Sequence, residues 1–316
     1  EIELIHGDAV SIGADLCLLK MRDGFKQILS GLQKTNFPTS YKLQNEIGKQ
    51  YLRLVNSSNP EADIYRRLRT RDFIGPSSIS LELTNIVPPD NESTIPNINM
   101  PYTVTEKADG IRKLLFIDGS GKIWLIDVNM NIQFTGTQIK EEDYYGTILD
   151  GEHVLHNKDG MFINNYLVFD LYYIGGEDYR GYPLLKIENL KYDNPEMDKT
   201  KFRYNTLTKL LKEINIISVT ANGTDFRVKA KTFYTNEKGN IFRQCKHILD
   251  GVHDGTMFEY ETDGLIFTPI DKSVGSDLLG EWLPPSKRTW KWAMKWKPPE
   301  YNTIDFLVTT KKNKAG

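Results

Sequence analysis

The chain has 316 residues, 39% of them hydrophobic and 26% charged, the balance of a globular protein rather than a disordered one. Its 40 basic and 42 acidic residues leave a net charge of −2, so no global positive field advertises nucleic acid, and any RNA contact must come from local patches. No stretch approaches the ~20 apolar residues of a membrane span. The two cysteines, Cys17 and Cys245, lack the paired spacing of a zinc site or a disulfide framework, which predicts inert thiols in a reducing intracellular compartment. The length allows one large or two unequal domains. The chain opens at Glu1 without methionine or an apolar leader, which reads as a piece cut from a longer polypeptide.

The first hundred residues read as helical. RDGFKQILSGLQ (22–33) and YKLQNEIGKQYLRLV (41–55) carry apolar residues at three- and four-residue intervals, as amphipathic helices do. A polar break at 56–60 follows, and ADIYRRLRTRDF (62–73) resumes the pattern as a shorter basic helix. Its basic run YRRLRTR (65–71) is either a solvated helix face or an RNA contact. The proline-rich stretch 87–101 is a loop.

From Tyr102 the texture is that of strands. YTVTEKA (102–108), KLLFIDG (113–119) and KIWLIDVN (122–129) are rich in β-branched and aromatic residues, and DGSG (118–121) has hairpin-turn chemistry. GTILDGEHVL (146–155) and the nearly all-apolar NNYLVFDLYYI (164–174) follow, the second as a central buried strand. Helical spacing returns at 205–216 and 239–252, separated by the strand-like FRVKAKTFY (226–234), and TDGLIFTP (262–269) and TWKWAMKWK (289–297) close the series. No internal repeat is present.

Five of these segments carry candidate chemistry. Lys107, in EKADGIR, ends a strand just before Asp109 and Gly110 turn the chain; alone it would read as a surface lysine. Glu152, in LDGEH, is either an exposed hairpin acid or a ligand for ribose or metal. Phe169 and Asp170 interrupt an apolar strand: the phenyl reads as core or as a purine-stacking platform, and the buried acid demands a partner. Asp263, in TDGLIF, is a second acid able to hold a divalent cation. Lys295 and Lys297 share one strand face by the period-two rule, as edge-protecting charges or as a clamp on a transferring phosphoryl group. A lysine nucleophile must shed its proton, and nearby cations with partial desolvation favour that. The same cations would stabilise charge on an α-phosphate as pyrophosphate leaves, so these residue types are expected to converge.

EKADGIR, ILDGEHV, VFDLYY, TDGLIF and MKWKPP resemble, in order, the successive motifs of the covalent nucleotidyltransferase superfamily of mRNA capping guanylyltransferases and ATP-dependent polynucleotide ligases, across residues 102–308. TDGLIFTP, KWKPPEYNTIDFLV (295–308) and FIGPSSISL (73–81) look more like capping enzymes than ligases. The resemblance implies an α+β fold: an antiparallel-sheet, ATP-grasp-like nucleotidyltransferase core at 87–303, after a helical segment at 1–86. It also implies that 304–316 begins an OB-fold lid, truncated here. It implies Lys107 as nucleophile, Arg112 and Glu152 near the ribose, Phe169 on guanine, Lys231 at the guanine carbonyl (with Lys229 on the same strand face), and Lys295 and Lys297 on the α-phosphate. Asp263, Glu152 and Asp305 would serve the metal, Mg2+ or Mn2+. GTP and 5′-diphosphate RNA would be the substrates and a GpppN cap the product. EIEL (1–4) reads either as an edge strand or as the closing strand of an upstream RNA triphosphatase. The latter implies a multifunctional enzyme of the kind found in large DNA viruses, with a methyltransferase downstream, in host cytoplasm or virion. A ligase forming Lys107-AMP and a noncatalytic RNA-binding scaffold are the competing readings.

Overall fold

The computed structural model describes residues 6–57, 63–88, 94–186, 190, 195–221, 223–235, 240–280, 288–301 and 306–309. Residues 1–4 and Asp305 lie outside them, as does most of 304–316.

Among the described residues, two sheets and four α-helices make up the fold. Helix α1 (His6–Gln33) is longer than the predicted 22–33 and breaks at Gly13, whose backbone is non-helical. Helix α2 (Tyr41–Val55) matches its predicted span; the Ser40 side chain accepts from Leu43 N at 3.2 Å and so satisfies one free amide of the first turn.

The larger sheet is built on a meander of β3 (Ile111–Ile117), β4 (Lys122–Asp127) and β5 (Ile132–Gln138), extended through β6 (Thr147–His156) and β7 (Phe162–Ile174). Short β8 (Glu177–Asp178), β9 (Ile217–Ser218) and β10 (Arg227–Ala230) complete it, in the order β10-β7-β6-β3-β4-β5-β9 with β8 on β7. The DGSG turn forms as predicted because Asp118 organises it: one carboxylate oxygen accepts from Ser120 N, Ser120 Oγ and Lys122 N, and the other from Trp124 Nε1. The smaller sheet runs β1 (Ser77–Ser80), β13 (Thr289–Trp296), β12 (Thr262–Pro269), β2 (Tyr102–Ala108), β11 (Tyr234–Thr235). Both are antiparallel apart from the β1–β13 and β10–β7 pairs.

Side-chain alternation divides the core. On one face of the larger sheet, Leu114, Phe116, Trp124 and Ile126 pack under Ile47, Tyr51, Leu52 and Val55 of α2. On the other, Leu115, Leu125, Val168 and Leu171 pack under Leu207 and Leu210 of α3 (Arg203–Glu213). The smaller sheet turns Val104, Leu265, Phe267 and Met294 toward Ile241, Cys245 and Ile248 of α4 (Ile241–His253). Cys245 is thus a core thiol, pushed up to about 11 by burial, in keeping with an inert role. No described helix is long and apolar enough to cross a membrane.

Three expectations are corrected. The run 226–234 is not one strand: β10 pairs with β7 in one sheet, and β11 pairs with β2 in the other, so the chain crosses between them at 231–233. Strand β5 was not foreseen, because its polar residues and Gly136, at φ 78°, dilute the strand pattern. Within the described part of 62–73 there is no α-helix, only a 3-10 turn at Thr70–Asp72. The buried Asp72 carboxylate captures the Arg66 guanidinium through two bonds of 2.6 and 2.7 Å and the Arg69 amide at 2.7 Å, and Tyr51 Oη donates to the Asp72 carbonyl at 2.7 Å. These side-chain bonds, with the Tyr51 contact from α2, outweigh helix propensity. Replacing the buried acid removes all of the carboxylate bonds together, so Asp72→Ala is expected to lower stability by about 2 kcal/mol, read as a lower urea midpoint at unchanged slope.

Candidate active site

A cleft of about 250 Å³ lies between the two sheets, walled by Lys107, Arg112, Glu152, Phe169, Lys231 and Lys295 among others. Two chain crossings build it. Strand β2 ends at Ala108 in the smaller sheet, and the next strand, β3, opens at Ile111 in the larger one, so EKADGIR is the first crossing and sets Lys107 and Arg112 on opposite walls. The second crossing, after β10, carries Lys231.

Alternation in the smaller sheet does the rest. Thr105 and Lys107 on β2, Ile266 and Thr268 on β12, and Ala293 and Lys295 on β13 all line the cleft, while Val104, Leu265, Phe267 and Met294 on the same strands pack with α4. At the open end of this face Lys107 Nζ lies 2.6 Å from Asp263 Oδ1, and Lys297 Nζ lies 2.6 Å from Asp263 Oδ2. Burial pushes the Asp263 carboxyl up, but hydrogen bonds from Lys107 and Lys297 outweigh it and hold it below the usual carboxylate range. The glycine after Asp263 has a structural cause. Gly264 sits at φ 147° in a register shift of β12, and a Cβ there would drive into the Trp296 carbonyl oxygen. Only glycine lets β12 pass β13 so closely and turn Asp263 inward.

On the larger sheet Arg112 forks onto Asp150, with contacts of 3.1 and 2.5 Å, and donates to the Pro76 carbonyl at 2.7 Å. Tyr172 Oη donates to the same Asp150 carboxylate at 2.5 Å. The guanidinium is sandwiched by aromatic rings, 5.5 Å from the centre of Phe73 and 5.6 Å from that of Phe169, a favourable cation–π geometry. Gly75 is required beside it, since a Cβ would come within 2.6 Å of Arg112 Nη2. Asp170 has the partner its burial demanded, Arg203, at 2.7 and 3.2 Å.

Lys231 is 5% exposed; its ammonium donates to the Glu106 carbonyl and lies 3.2 Å from Glu106 Oε1. Glu106 also accepts from Tyr260 Oη at 3.0 Å and Thr105 Oγ1 at 2.7 Å. Lys229 instead pairs with Glu259 on the exposed side at 3.0 Å, so of the two lysines only Lys231 reaches the cleft. Glu152 lines the cleft with no hydrogen bond or ion pair among the described residues. Burial pushes its carboxyl up to about 7 against the pull of Lys231, Lys107 and Arg112. Lys295 likewise has no ion pair among the described residues.

The predicted residues Lys107, Arg112, Glu152, Phe169, Lys231, Asp263, Lys295 and Lys297 therefore converge. Sequence reasoning missed the acids that hold the cations, Asp150 and Glu106, and the hydroxyls of Tyr172 and Tyr260. Asp150 stood inside LDGEH and Glu106 beside the lysine, but nothing local marks either as a partner of a distant cation. No group of three or more His, Cys, Asp or Glu side chains able to hold a metal occurs among the described residues. Glu152 and, once released from Lys107 and Lys297, Asp263 are the carboxylates whose oxygens suit a hard divalent cation.

Residues 68–298 match the family described as mRNA capping enzyme, catalytic domain. The chain is 27% identical to a probable mRNA-capping enzyme of Acanthamoeba polyphaga mimivirus over 312 residues, covering 90% of this chain and 24% of that protein. It is 26% identical to the mRNA-capping enzyme of Danio rerio over 225 residues, covering 67% of this chain and 31% of that one. It thus spans about a quarter to a third of the length of these relatives. Among solved structures, a mycobacterial DNA ligase D complexed with ATP and MES aligns with a TM-score of 0.40 at 16% identity, over 72% of this chain and 60% of that one. With its family match covering most of the sequence, the chain belongs to the mRNA capping enzyme catalytic-domain family.

Proposed function

We propose that this chain transfers GMP from GTP to the 5′-diphosphate end of RNA through Lys107. The observation that carries the reading is the Lys107–Asp263–Lys297 cluster at the mouth of a cleft that also holds Lys295, Arg112 and Lys231. In the first step the Lys107 amine leaves its ion pair, gives up its proton and attacks the α-phosphorus. A P–N bond forms, the bond to the β-phosphate oxygen breaks, and pyrophosphate departs. In the second a terminal oxygen of the RNA diphosphate attacks the same phosphorus, the P–N bond breaks, and the amine regains its proton. Lys295 and Lys297 would meet the charge that builds on the phosphoryl oxygens in both.

Base choice follows from hydrogen-bond polarity. Lys231 is donor-only, so it suits the O6 and N7 acceptors of guanine and opposes the amino group of adenine, with Phe169 available to stack. A divalent cation, Mg2+ or Mn2+, would be held by Glu152 and Asp263, with Asp305 as a further candidate, and would neutralise triphosphate charge. Fusion to an upstream RNA triphosphatase and to downstream OB-fold or methyltransferase modules belongs to the same proposal; its support is that the mimivirus relative extends well beyond the aligned region.

Incubation with labelled GTP and a divalent cation, then denaturation, should leave GMP on Lys107 by mass spectrometry, with none from ATP and none in Lys107→Ala. Label from ATP alone would make the protein a ligase. No adduct, together with RNA-dependent function preserved in Lys107→Ala, would make it a scaffold.

Glu152 gives a second test. Its folded carboxyl titrates near 7, above the ordinary value, so the folded state keeps a proton that the unfolded chain releases. Stability is therefore full below about pH 4.5 on this account and falls as pH rises to about 7. Asp72 and Asp263, held below the usual range, act at lower pH with the opposite sign. Glu152→Gln should remove the decline between pH 5 and 7 and gain about 2 kcal/mol at pH 8 in urea denaturation, while GMP transfer falls at least about tenfold.

A further inference from the structure

The basic run at 65–71 has no part in the nucleotide cleft. In place of the predicted helix the chain alternates: Ile64, Arg66 and Leu68 are half-buried, while Tyr65, Arg67 and Arg69 are exposed, followed by exposed Arg71. Asp72 is the cause, because its carboxylate is filled by Arg66 and the Arg69 amide. Arg66 is thereby neutralised. Arg67, Arg69 and Arg71 form no ion pair among the described residues; Arg71 shares only the field of Asp72, so three exposed guanidiniums alternate along five residues of a chain of net charge −2.

Their position matters. Phe73, two residues after Arg71, lies under the Arg112 guanidinium, and Pro76 accepts from Arg112. Five residues of chain reach at most about 18 Å, so the strip ends close beside the cleft wall. Tyr65 is 73% exposed, with Lys49 Nζ 5.4 Å from its ring centre. Unpaired arginines on a phosphate track, together with an open aromatic ring, are the sequence-tolerant recognition elements for single-stranded nucleic acid.

We propose that Arg67, Arg69 and Arg71 bind the phosphodiester backbone of the RNA whose 5′ end occupies the cleft, with Tyr65 offering its ring to a base. This rests on the guanylyltransferase reading, and the two can fail separately. Adduct formation on Lys107 needs no RNA, so it reports the nucleotide step apart from the strip.

The test uses the full chain with Arg67→Gln, Arg69→Gln and Arg71→Gln combined. GMP adduct formation should match the parent, which also establishes folding. The KM for a 20-nucleotide 5′-diphosphate RNA should rise about tenfold, and the salt slope of its binding, followed by fluorescence anisotropy, should fall by about 2, the release expected for three phosphate contacts on a single strand. The corresponding triple Arg→Lys variant should recover most of the affinity. Equal KM and salt slope for parent and variant overturn the proposal. So does a variant that loses binding to a phosphoserine peptide yet keeps RNA, which would make the strip a peptide dock. If the parent forms no adduct, the guanylyltransferase reading falls, and the anisotropy slopes still decide the strip.

Discussion

Two sheets share one cleft because the chain passes between them at two places, and those passages carry functional side chains. β2 hands over to β3 through Asp109 and Gly110, and β10 hands over to β11 through 231–233. Lys107 and Arg112 are only five residues apart, yet they stand on different sheets, and Lys231 closes the gap from the far side. The lysine is therefore set by strand pairing on both sides of β2, with β11 and β12, rather than by a loop. Strand-borne groups keep their geometry better than loop-borne ones.

Charge in the cleft follows a simple pattern. Asp263 takes Lys107 and Lys297, Asp150 takes Arg112, Glu106 takes Lys231, and Asp170 takes Arg203. Among the described residues, the groups left without an ion pair on the cleft wall include one cation, Lys295, and one acid, Glu152. A resting site of this kind is close to neutral but not inert. On the proposed reading an incoming triphosphate would meet the unshared Lys295 ammonium first, and Glu152 would be available to a ribose hydroxyl or a cation. Buried pairs of this sort contribute little net stability against an apolar alternative, so their place here is better explained by what they position.

Much of this was legible from residues 102–108, 262–269 and 289–296, where period-two alternation and the glycine of TDG announce strands that line one wall. The glycine was readable as a turn signal, but its cause is a close approach to Trp296 that spans 32 positions. The failures share one physical reason. Asp72 overrides helix propensity in 63–72, Asp150 finds Arg112 across 38 residues, and Glu106 finds Lys231 across 125. Charge pairing, whether three to six residues away as at Asp72 or far across the chain, leaves no local periodicity to read. The separation of Lys229 from Lys231 depends likewise on where β10 stops, which β7 decides and the sequence between them does not.

Glu152 shows how stability and chemistry pull apart within this arrangement. A fully satisfied carboxylate would be cheaper to bury, and three cations lie near enough to offer that. Each of those cations is already engaged by another acid, so the attraction they retain for Glu152 is partial and burial prevails. Without Asp150 or Glu106, Arg112 or Lys231 would lose the acid that now competes with Glu152 for its charge. The acids behind the cations thus do more than neutralise them: they hold the cations away from Glu152, which stays free of an ion pair among the described residues on the cleft wall.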